Sequence, residues 1–564
     1  MRKQGDNGLK KRVGILLRSL NGSKYLYETV EELSRSGTIE IFFMLNREAA
    51  LKKRWAAQAR MRTQGVPRFA AWIFFMLTAN GEGGILSRIF PRVKEHRDVW
   101  SLEKFITNEP VRLNPIVSSS GFSVRYSEED IERIKSLGLD IIIRGNAPGI
   151  FRGEILSAAK EGIISFHHGD NRWNRGGPAA FWEVYYRKPS TGFVIQILTE
   201  ELDGGKVLFR GEVSTCRSYT ENIVKLFNES NPYMAKIILE YAEHGTLPQP
   251  EERTPFGGML LRTPSSAQTV KYIFMTLREF AGWVVNRIIL RKGLRWGVAF
   301  TPGPWRDAVL RKGTEIKNPA GRFFADPFVV TKDEKTICFV EDYHFKEKKG
   351  RIAAIEIIDK KNYRILGPVL EEPFHMSFPF VFEYRGDLFM VPETRESNAI
   401  RLYKCVEYPL KWEYQKDILS DVKAVDSMLF EYRSRWWLLT NLAAGGNSDH
   451  GSQLFAYHSE NPYSDNWIPH EKNPLVFNGT IARNGGLLDA ESGQPVRVRQ
   501  KQGFNAYGAG LTLAQITELT PSTFREREIG QITPDFFRKI RGCHQFHSNG
   551  RYTVYDYVRR ETMK

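Results

Sequence analysis

A histidine and an aspartate are the residues in this chain best placed to do chemistry. His167 follows a short apolar run, Ile163–Phe166, which predicts a buried strand. Asp203 stands in an Asp-Gly-Gly turn after a second apolar run, Gly192–Leu198. Histidine is the usual general base near neutral pH, and a neighbouring carboxylate can fix its tautomer. The same residues also fit an ordinary loop histidine and a turn aspartate beside two glycines.

The elements that must position this pair alternate between strand and helix. The predicted strands are Arg12–Leu17, Ile39–Met44 and Asp140–Arg144, and the predicted helices are Tyr25–Arg35, Ser127–Leu137, Ile150–Ala159 and Thr220–His244. Such alternation predicts a doubly wound α/β sheet, in which polar loops at the carboxyl ends of the strands carry the chemistry.

Four features, in this order, resemble the formyltransferase family, which includes the methionyl-tRNA, glycinamide ribonucleotide and sugar N-formyltransferases. They are His167, Arg175-Gly176, the Thr191-Gly192 start of a strand, and the turn Leu202-Asp203-Gly204-Gly205. The resemblance extends over roughly Arg12 to Pro250. It implies that His167 deprotonates an attacking amine, that Asp203 orients the histidine, and that 10-formyltetrahydrofolate is the formyl donor.

Two departures from the family pattern concern the oxyanion and the donor. Ser165 replaces the family asparagine, so the resemblance gives Ser165, with His168 or Asn171 as a neighbour, the task of holding the oxyanion. The loop after His167 is also rewritten, which leaves open a different acyl transfer or a hydrolysis at the same site. The expected substrate-binding residues of this loop are His168, Asp170, Asn171, Arg175 and Gly176.

The second half changes to short strands rich in aromatic residues, and a pattern repeats along it. Matching starts fall near Asp326, Phe378, Asp426, Asn484 and His544. This spacing fits a five-bladed β-propeller. The half resembles arabinanase-like glycosidases and, more closely, the N-terminal domain of plant glucosamine inositolphosphorylceramide transferases, through the runs FADPF, SFPFVFE and PET.

Carboxylates at the strand mouths of such a propeller can bind or cleave a sugar. We expect Asp326, Glu393 and Asp426 to bind the carbohydrate acceptor. Hydrolysis and a purely structural role stay open for the same residues.

The chain is too long for one core, and we expect three segments. These are an α/β domain over 1–250, a linker with an amphipathic helix over 251–310, and an all-β propeller over 311–564. The linker prediction rests on four prolines within Thr246–Ala267. The helix predicted over Val270–Arg291 could pack between domains or rest on an anionic membrane.

No transmembrane segment is expected, because the apolar run Phe69–Thr78, in an insertion over Ala49–Lys94, is too short to span a bilayer. Four cysteines stand far apart without C-x-x-C spacing, so we predict no metal site and a reducing compartment. The first twelve residues are charged, unlike a signal peptide. The expected location is the cytoplasm, at the inner membrane surface.

The net charge of +16 is spread along the chain and suits anionic partners such as sugar nucleotides or phospholipid head groups. No signature of an RNA-binding module is present, so nucleic acid is not an expected partner. Together with these patterns, the two resemblances imply an enzyme that transfers a formyl or related one-carbon group to an amino sugar of a surface glycan or lipid-linked saccharide. The alternative from another class is a non-catalytic scaffold that binds glycans.

Overall fold

Apolar runs near the start of the chain assemble into the seven-stranded sheet of the first unit, Met1–Thr276. The computed structural model describes residues 10–47, 66–252, 256, 258, 260–443, 449–489 and 493–562. The strands of the sheet are β1 Lys11–Leu17, β2 Ile39–Asn46, β3 Val111–Leu113, β4 Ile141–Arg144, β5 Ile163–His167, β6 Ser190–Ile197 and β7 Lys206–Ser214. Their order is β7-β6-β5-β4-β1-β2-β3, and the last two in sequence, β6 and β7, are antiparallel to their neighbours.

The helices of this unit cover the sheet and bury its apolar side chains, among them the three isoleucines of β4. They are α1 Lys24–Arg35, α2 Val66–Ser87, α3 Pro91–Arg97, α4 Glu128–Ser136, α5 Phe181–Tyr185, α6 Tyr219–Ser230, α7 Pro232–His244 and the first part of α8 Ser266–Val284, which continues past Thr276 into the second unit. Two short 3₁₀ helices, Glu103–Phe105 and Gly153–Ser157, and small strands at Asn21–Gly22, Trp100–Ser101, Ile116–Val117, Ser123–Arg125 and Ile150–Phe151 complete it. Ser127 caps α4 by accepting from the backbone N–H of Asp130, at 3.2 Å.

Three helix predictions were wrong in their bounds. The region Ile150–Ala159 forms a short strand and a 3₁₀ helix, because Gly153 takes a left-handed φ of 77° that interrupts an α-helix. The helix predicted over Thr220–His244 is two helices that meet at Pro232, which lacks the N–H that a continuous helix needs. α8 ends at Val284 and continues as a π-helical turn, Val285–Ile289.

The insertion over Ala49–Lys94 contains a helix that extends well beyond the apolar run Phe69–Thr78. α2 has 22 residues, and the residues of the insertion before Val66 lie outside the described part of the chain. Its stretch Arg68–Ser87 is long and apolar enough to cross a membrane by length and composition, with a mean hydropathy of 1.2. Core helices of soluble proteins pass the same test, so this is weak evidence for a span.

The second unit, Leu277–Lys564, consists of antiparallel sheets, so the all-β prediction for this half is confirmed. Blade 1 contains Arg322–Lys332, Lys335–His344, Lys349–Ile357 and Tyr363–Leu370, and blade 2 contains Ser377–Tyr384, Asp387–Glu393, Ala399–Glu407 and Lys411–Ser420. Blade 3 contains Val425–Glu431, Trp436–Asn441, Gln453–Ser459, Ile468–Pro469 and Val476–Phe477, and blade 4 contains Asn484–Leu488, Val496–Gly503, Ala506–Leu519 and Phe524–Ile532. Blade 5 combines Lys292–Pro302 and Thr314–Ile316 with Ile540–Gly542, Phe546–Ser548 and Tyr552–Thr562.

The innermost strands of the five blades contact one another in sequence, and that of blade 5 returns to blade 1, which closes a propeller ring. The innermost strands of blades 1 to 4 each contain a β-bulge. At three of these bulges a non-glycine residue takes a left-handed φ: Asp326 at 50°, Phe378 at 45° and Asp426 at 49°. The repeat seen in the sequence is therefore a repeat of backbone geometry at the ring axis.

Candidate functional site

The first candidate site contains His167, the last residue of β5, and Asp203, in the turn between β6 and β7. Nδ1 of His167 lies 3.5 Å from Oδ1 of Asp203. The His167 side chain is 10% exposed and that of Asp203 is 26% exposed. The structure thus brings the two residues together as a largely buried pair at the carboxyl end of a parallel strand, where open α/β sheets bind ligands.

The other ring nitrogen of His167 faces its own loop. Nε2 lies 3.3 Å from the carbonyl oxygen of Asn174. Both neighbours are acceptors, and a neutral imidazole has one N–H, so only the doubly protonated ring can donate to both. Gly169 packs against this edge, where an added Cβ would lie 2.9 Å from Nε2. A substrate amine that transfers its proton to Nε2 must therefore replace the contact with Asn174.

Asp203 is held by the backbone conformation of its turn and by its neighbours. It takes a left-handed φ of 47°, and its carbonyl accepts a hydrogen bond from Nδ2 of Asn171, at 3.3 Å. The buried guanidinium of Arg144 interacts with Asp203. Burial lowers the pKa of Arg144, and the charge of Asp203 opposes that shift. These contacts orient the carboxylate that faces His167.

Asp170 is the centre of a charged cluster in the loop after His167. Its carboxylate accepts from Nε of Arg172 at 2.9 Å and from Nη1 of Arg210 at 2.8 Å. Burial alone would raise the pKa of Asp170, but the hydrogen bonds and charges of the two arginines lower it. Arg210 also donates to Oδ1 of Asn171, at 3.0 Å, and pairs with Glu251. Asp170 and Asn171 therefore hold the loop in place.

A segment that the sequence predicted as linker packs against the same loop. The N–H of Leu261 donates to Oδ1 of Asn174 at 3.1 Å, and its carbonyl accepts from the N–H of Gly177 at 3.0 Å. A Cβ on Gly176 would lie 1.8 Å from the Leu261 oxygen, so only glycine fits there. Part of the Thr246–Ala267 segment therefore forms a wall of the site.

Arg175, predicted to bind substrate, connects this wall to the Asp203 turn. Its guanidinium pairs with Glu201 and lies 4.5 Å from the centre of the Phe256 ring. Its Nε also donates to the carbonyl oxygen of Asn171, at 3.1 Å. The Arg175 guanidinium is therefore bound to other groups of the protein in this structure.

Ser165 and His168 differ in what their polar atoms contact. The Ser165 hydroxyl is buried and donates to the carbonyl oxygen of Phe166, at 3.0 Å. The His168 ring is stacked 3.8 Å from Phe227, centroid to centroid, and 4.9 Å from Phe166. Burial lowers the pKa of His168 to about 3, so the ring is neutral at physiological pH. Its Nε2 is buried and has no hydrogen-bond partner in the part of the chain that the structure describes.

Two cavities lie around this loop. One, of about 390 Å³, is lined by Ser165 and His168 together with residues of α1, the β4 loop and α6, among them Leu26, Asn146 and Phe227. The other, of about 230 Å³, is lined by Asn171, Arg175, Arg210, Glu251 and Phe256. The loop after His167 thus contributes side chains to both.

The second candidate site lies at the axis of the propeller. Oδ2 of Asp326 accepts from the backbone N–H of Phe378, at 3.1 Å, which joins blades 1 and 2. Oδ1 of Asp326 lies 3.5 Å from Nε2 of His544, whose Nδ1 pairs with the fully buried Asp556. Burial raises the pKa of Asp326, and the charge of His544 counteracts that shift. The residues therefore form a buried Asp–His–Asp chain.

The three residues Asp326, His544 and Asp556 could also hold a cation, since their ligand atoms lie within 4.8 Å of one another. However, Oδ1 of Asp556 already accepts from the backbone N–H groups of His544 and Gln545, at 2.8 and 3.0 Å. The flat face of His544 stacks 3.8 Å from Trp296. These bonds fix the histidine in place through protein contacts.

The remaining predicted axis residues, Glu393 and Asp426, belong to the same electrostatic cluster. Asp426 pairs with Arg483 and accepts from Nε2 of Gln500, at 3.2 Å. Burial, followed by the charge of Asp426, raises the pKa of Glu393. A largely neutral Glu393 beside charged groups can donate a hydrogen bond to a sugar hydroxyl.

Sequence reasoning missed several residues of both sites. In the first unit these are Arg144, Asn174, Arg210, Glu251 and Leu261, and at the axis they are Arg483 and Asp556. The motif signal covered only the stretch around β5 and β6, and the other contacts join segments far apart in the chain.

Comparisons with known proteins give different relatives for the two halves of the chain. Residues 309–547 match the family described as glucosamine inositolphosphorylceramide transferase 1, N-terminal. Glucosamine inositolphosphorylceramide transferase 1 of Arabidopsis thaliana is 36% identical over 211 residues, which cover 37% of this chain and 27% of that protein. The chain therefore spans about a quarter of that relative's length.

Similarity to formyltransferases is weaker and partial. Methionyl-tRNA formyltransferase of Bacillus cytotoxicus is 26% identical over 165 residues, which cover 28% of this chain and 52% of that enzyme. Among solved structures, the catalytic domain of a Coprinopsis cinerea family 62 α-L-arabinofuranosidase covers 47% of this chain at a TM-score of 0.34 and 11% identity. That value is too low to support an argument about this chain.

Proposed function

We propose that this protein is a transferase that moves a formyl group onto the amino group of a sugar, and that its propeller binds the carbohydrate acceptor. The observation that carries the proposal is the His167–Asp203 pair at the end of β5, whose neighbours Ser165 and His168 line a cavity. The partial similarity to methionyl-tRNA formyltransferases supports the same reaction class.

The cavity is chemically suited to a reduced folate. Its volume of about 390 Å³ lies in the range of small-molecule sites. Leu26 and Phe227 offer an apolar wall, and His168 offers a buried ring nitrogen that lacks a partner within the described residues. When bound, 10-formyltetrahydrofolate supplies a formyl group attached to a nitrogen that can leave.

In this proposal His167 transfers the proton and Asp203 supports it. The acceptor amine displaces the Asn174 carbonyl from Nε2 of His167 and forms its new bond to the formyl carbon. His167 takes the proton that the amine loses and returns it to the departing nitrogen, so no proton is gained or lost overall. Asp203 holds the N–H at Nδ1 and stabilises the imidazolium that forms in between.

His168 is the group best suited to stabilise the developing oxyanion. The Asn171 amide donates to the Asp203 carbonyl, and the Ser165 hydroxyl donates to Phe166. A neutral imidazole donates through one N–H, and burial keeps His168 neutral. Loss of one such donor typically costs about 100- to 1000-fold in rate.

Carbohydrate binding at the propeller axis rests on its mixture of charged, neutral and aromatic groups. Asp326, Glu393 and Asp426 offer acceptors and donors for hydroxyl groups, and Trp296 and Tyr507 flank His544. The name of the matching family, glucosamine inositolphosphorylceramide transferase 1, combines an amino sugar with a ceramide lipid. That name supports a saccharide on a lipid as the acceptor.

The test incubates the full chain with 10-formyltetrahydrofolate and nucleotide-linked amino sugars. Mass spectrometry should detect one added formyl group and release of tetrahydrofolate. His167→Ala and Asp203→Asn should each abolish the product while the melting temperature stays within a few degrees. Full activity of His167→Ala would refute the role of this pair.

Two other results would favour the competing functions. Release of tetrahydrofolate without formylated sugar would indicate hydrolysis at the same site. Glycan binding without any stabilisation by the donor would indicate a scaffold, since a donor at 100 times its dissociation constant should stabilise the protein by about 2.7 kcal/mol.

A further inference from the structure

The helix α8 and the turn that follows it expose an unusual amount of apolar surface. Ten large apolar side chains between Val270 and Leu294 are more than a third exposed. Phe274 is 65% exposed, Leu277 61% and Ile288 62%. Single exposed apolar residues are ordinary, whereas contiguous apolar patches on soluble proteins mark interaction surfaces.

The exposed apolar residues in the first half of α8 lie on one face of the helix. Val270, Phe274 and Leu277 are spaced by four and three residues, which is the period of one helical face. Thr269 and Tyr272, on the opposite side, are buried. Tyr272 is held there because its hydroxyl donates to Glu82 and accepts from the N–H of Tyr219, at 2.9 Å. The helix is therefore fixed on the protein by one face and presents the other to solvent.

The charge of this segment is strongly positive. Between Val270 and Arg295 the sequence has six basic residues and one acidic residue, Glu279. Arg278, Arg287 and Arg291 are exposed beside the apolar side chains. An apolar face bordered by lysine and arginine is the composition that binds the headgroup region of an anionic bilayer.

The helix α2 supplies a second exposed apolar surface in the first unit. Leu77 is 66% exposed and Ile85 61% exposed. The opposite face is anchored, since Phe75 packs edge-on against Phe181 and Glu82 accepts from the N–H of Thr220, at 2.7 Å. A helix that crossed the bilayer would lose these contacts, so they favour a helix that lies along a surface.

We propose that the exposed apolar and basic side chains of α8 and the turn that follows it bind the surface of an anionic phospholipid bilayer. The positive charge of this segment favours an anionic bilayer over a second copy of the chain, because a second copy would place its own six basic residues against these six. The inference is independent of the formyl-transfer proposal, because it uses none of the residues around His167.

The experiment is flotation of the full-length protein with phosphatidylcholine vesicles, with and without phosphatidylglycerol. The protein should float with the anionic vesicles and bind less as salt is raised. The combined variant Phe274→Ser, Leu277→Ser and Phe280→Ser should weaken binding at least about a hundredfold, since each side chain loses its apolar burial. Arg278→Glu with Arg287→Glu should weaken binding to anionic vesicles at least about tenfold.

A matched control uses exposed apolar residues on the two outer strands of blade 2 and in the turn between them: Val406→Ser, Leu410→Ser and Tyr414→Ser. These changes should leave flotation unchanged, and formylation of a soluble sugar nucleotide should survive in the α8 variants. No flotation of the wild type, or equal flotation of the α8 variant, would overturn the proposal. A wild-type dimer that the α8 variant dissociates would show a second copy as the occupant. Resistance to alkaline carbonate extraction would show a spanning helix instead of a surface-bound one.

Discussion

Nε2 of His167 lies 3.3 Å from the carbonyl oxygen of Asn174, seven residues later in the same loop. The ring nitrogen that a substrate needs is thus occupied by the protein's own backbone. Access to it therefore depends on the shape of the loop between these two residues.

Gly169→Ala should abolish most activity while the protein stays folded. The added Cβ would lie 2.9 Å from Nε2 of His167, so the ring must shift, and a small misplacement at a reacting group can cost about a hundredfold in rate. The measurement is kcat for formyl transfer beside the melting temperature. Gly84→Ala in α2, where a Cβ meets no atom within 4 Å, is the control and should leave kcat unchanged and the melting temperature unchanged or slightly raised, because alanine favours a helix over glycine.

Gly176→Ala should destabilise the protein and disturb the wall of the site. Its Cβ would overlap the carbonyl oxygen of Leu261, which is backbone and must move. Overpacking of this kind typically costs about 1–3 kcal/mol. Calorimetry should show a lowered melting temperature, whereas Arg262→Ala, at an exposed neighbour, should change little. Equal melting temperatures for Gly176→Ala and the wild type would contradict the packing of this segment on the loop.

His168→Phe should change how stability depends on pH. The pKa of His168 is lowered from 6.5 to about 3 by burial, so between these values the unfolded chain binds the extra proton. Wild-type stability should therefore fall as pH decreases through this window and rise as pH increases. Phenylalanine keeps the stack on Phe227 and cannot titrate, so the melting temperature of the variant should fall less between about pH 6.5 and pH 4.5.

The same variant separates stability from catalysis. His168→Phe removes the ring N–H, so kcat should fall about 100- to 1000-fold at neutral pH even where the variant is as stable as the wild type. Unchanged kcat would remove His168 from the oxyanion role and leave it as a stacking residue.

Asp326→Asn and Glu393→Gln should affect a long glycan acceptor more than a simple sugar nucleotide. Both changes keep the shape of the side chain and remove the ability to ionise, which alters hydrogen bonds to sugar hydroxyls. The Michaelis constant for the long acceptor should rise about tenfold with kcat little changed. Equal losses with both acceptors would mean that the axis takes part in the chemistry.

The sequence predicted best those parts of the sites whose residues lie close together along the chain. His167 and Asp203 were found because His167 ends a short apolar strand, Asp203 lies in the turn after another, and the family motif that contains both spans about 40 residues. Leu261 and Glu251 were not found, because a segment with four prolines reads as a linker until its partners are known. Their bonds to Asn174 and Arg210 join residues 87 and 41 positions apart.

The axis shows the same limit. The repeat starting at Asp326 and Asp426 was visible because each blade repeats the same strand pattern. The Asp556–His544 pair was not, because local pattern gives no reason for a buried aspartate late in the chain to accept from two backbone N–H groups at the axis.

The pairing of Lys292–Pro302 with Tyr552–Thr562 extends over eleven residues on each side. These two strands belong to one blade but are made at opposite ends of the propeller segment. During synthesis Lys292–Pro302 is made first, and it has no partner along this edge until the strands of the other four blades have been made. The ring is therefore expected to close last, after Tyr552–Thr562 has emerged from the ribosome, and until then this unpaired edge is open to wrong pairing.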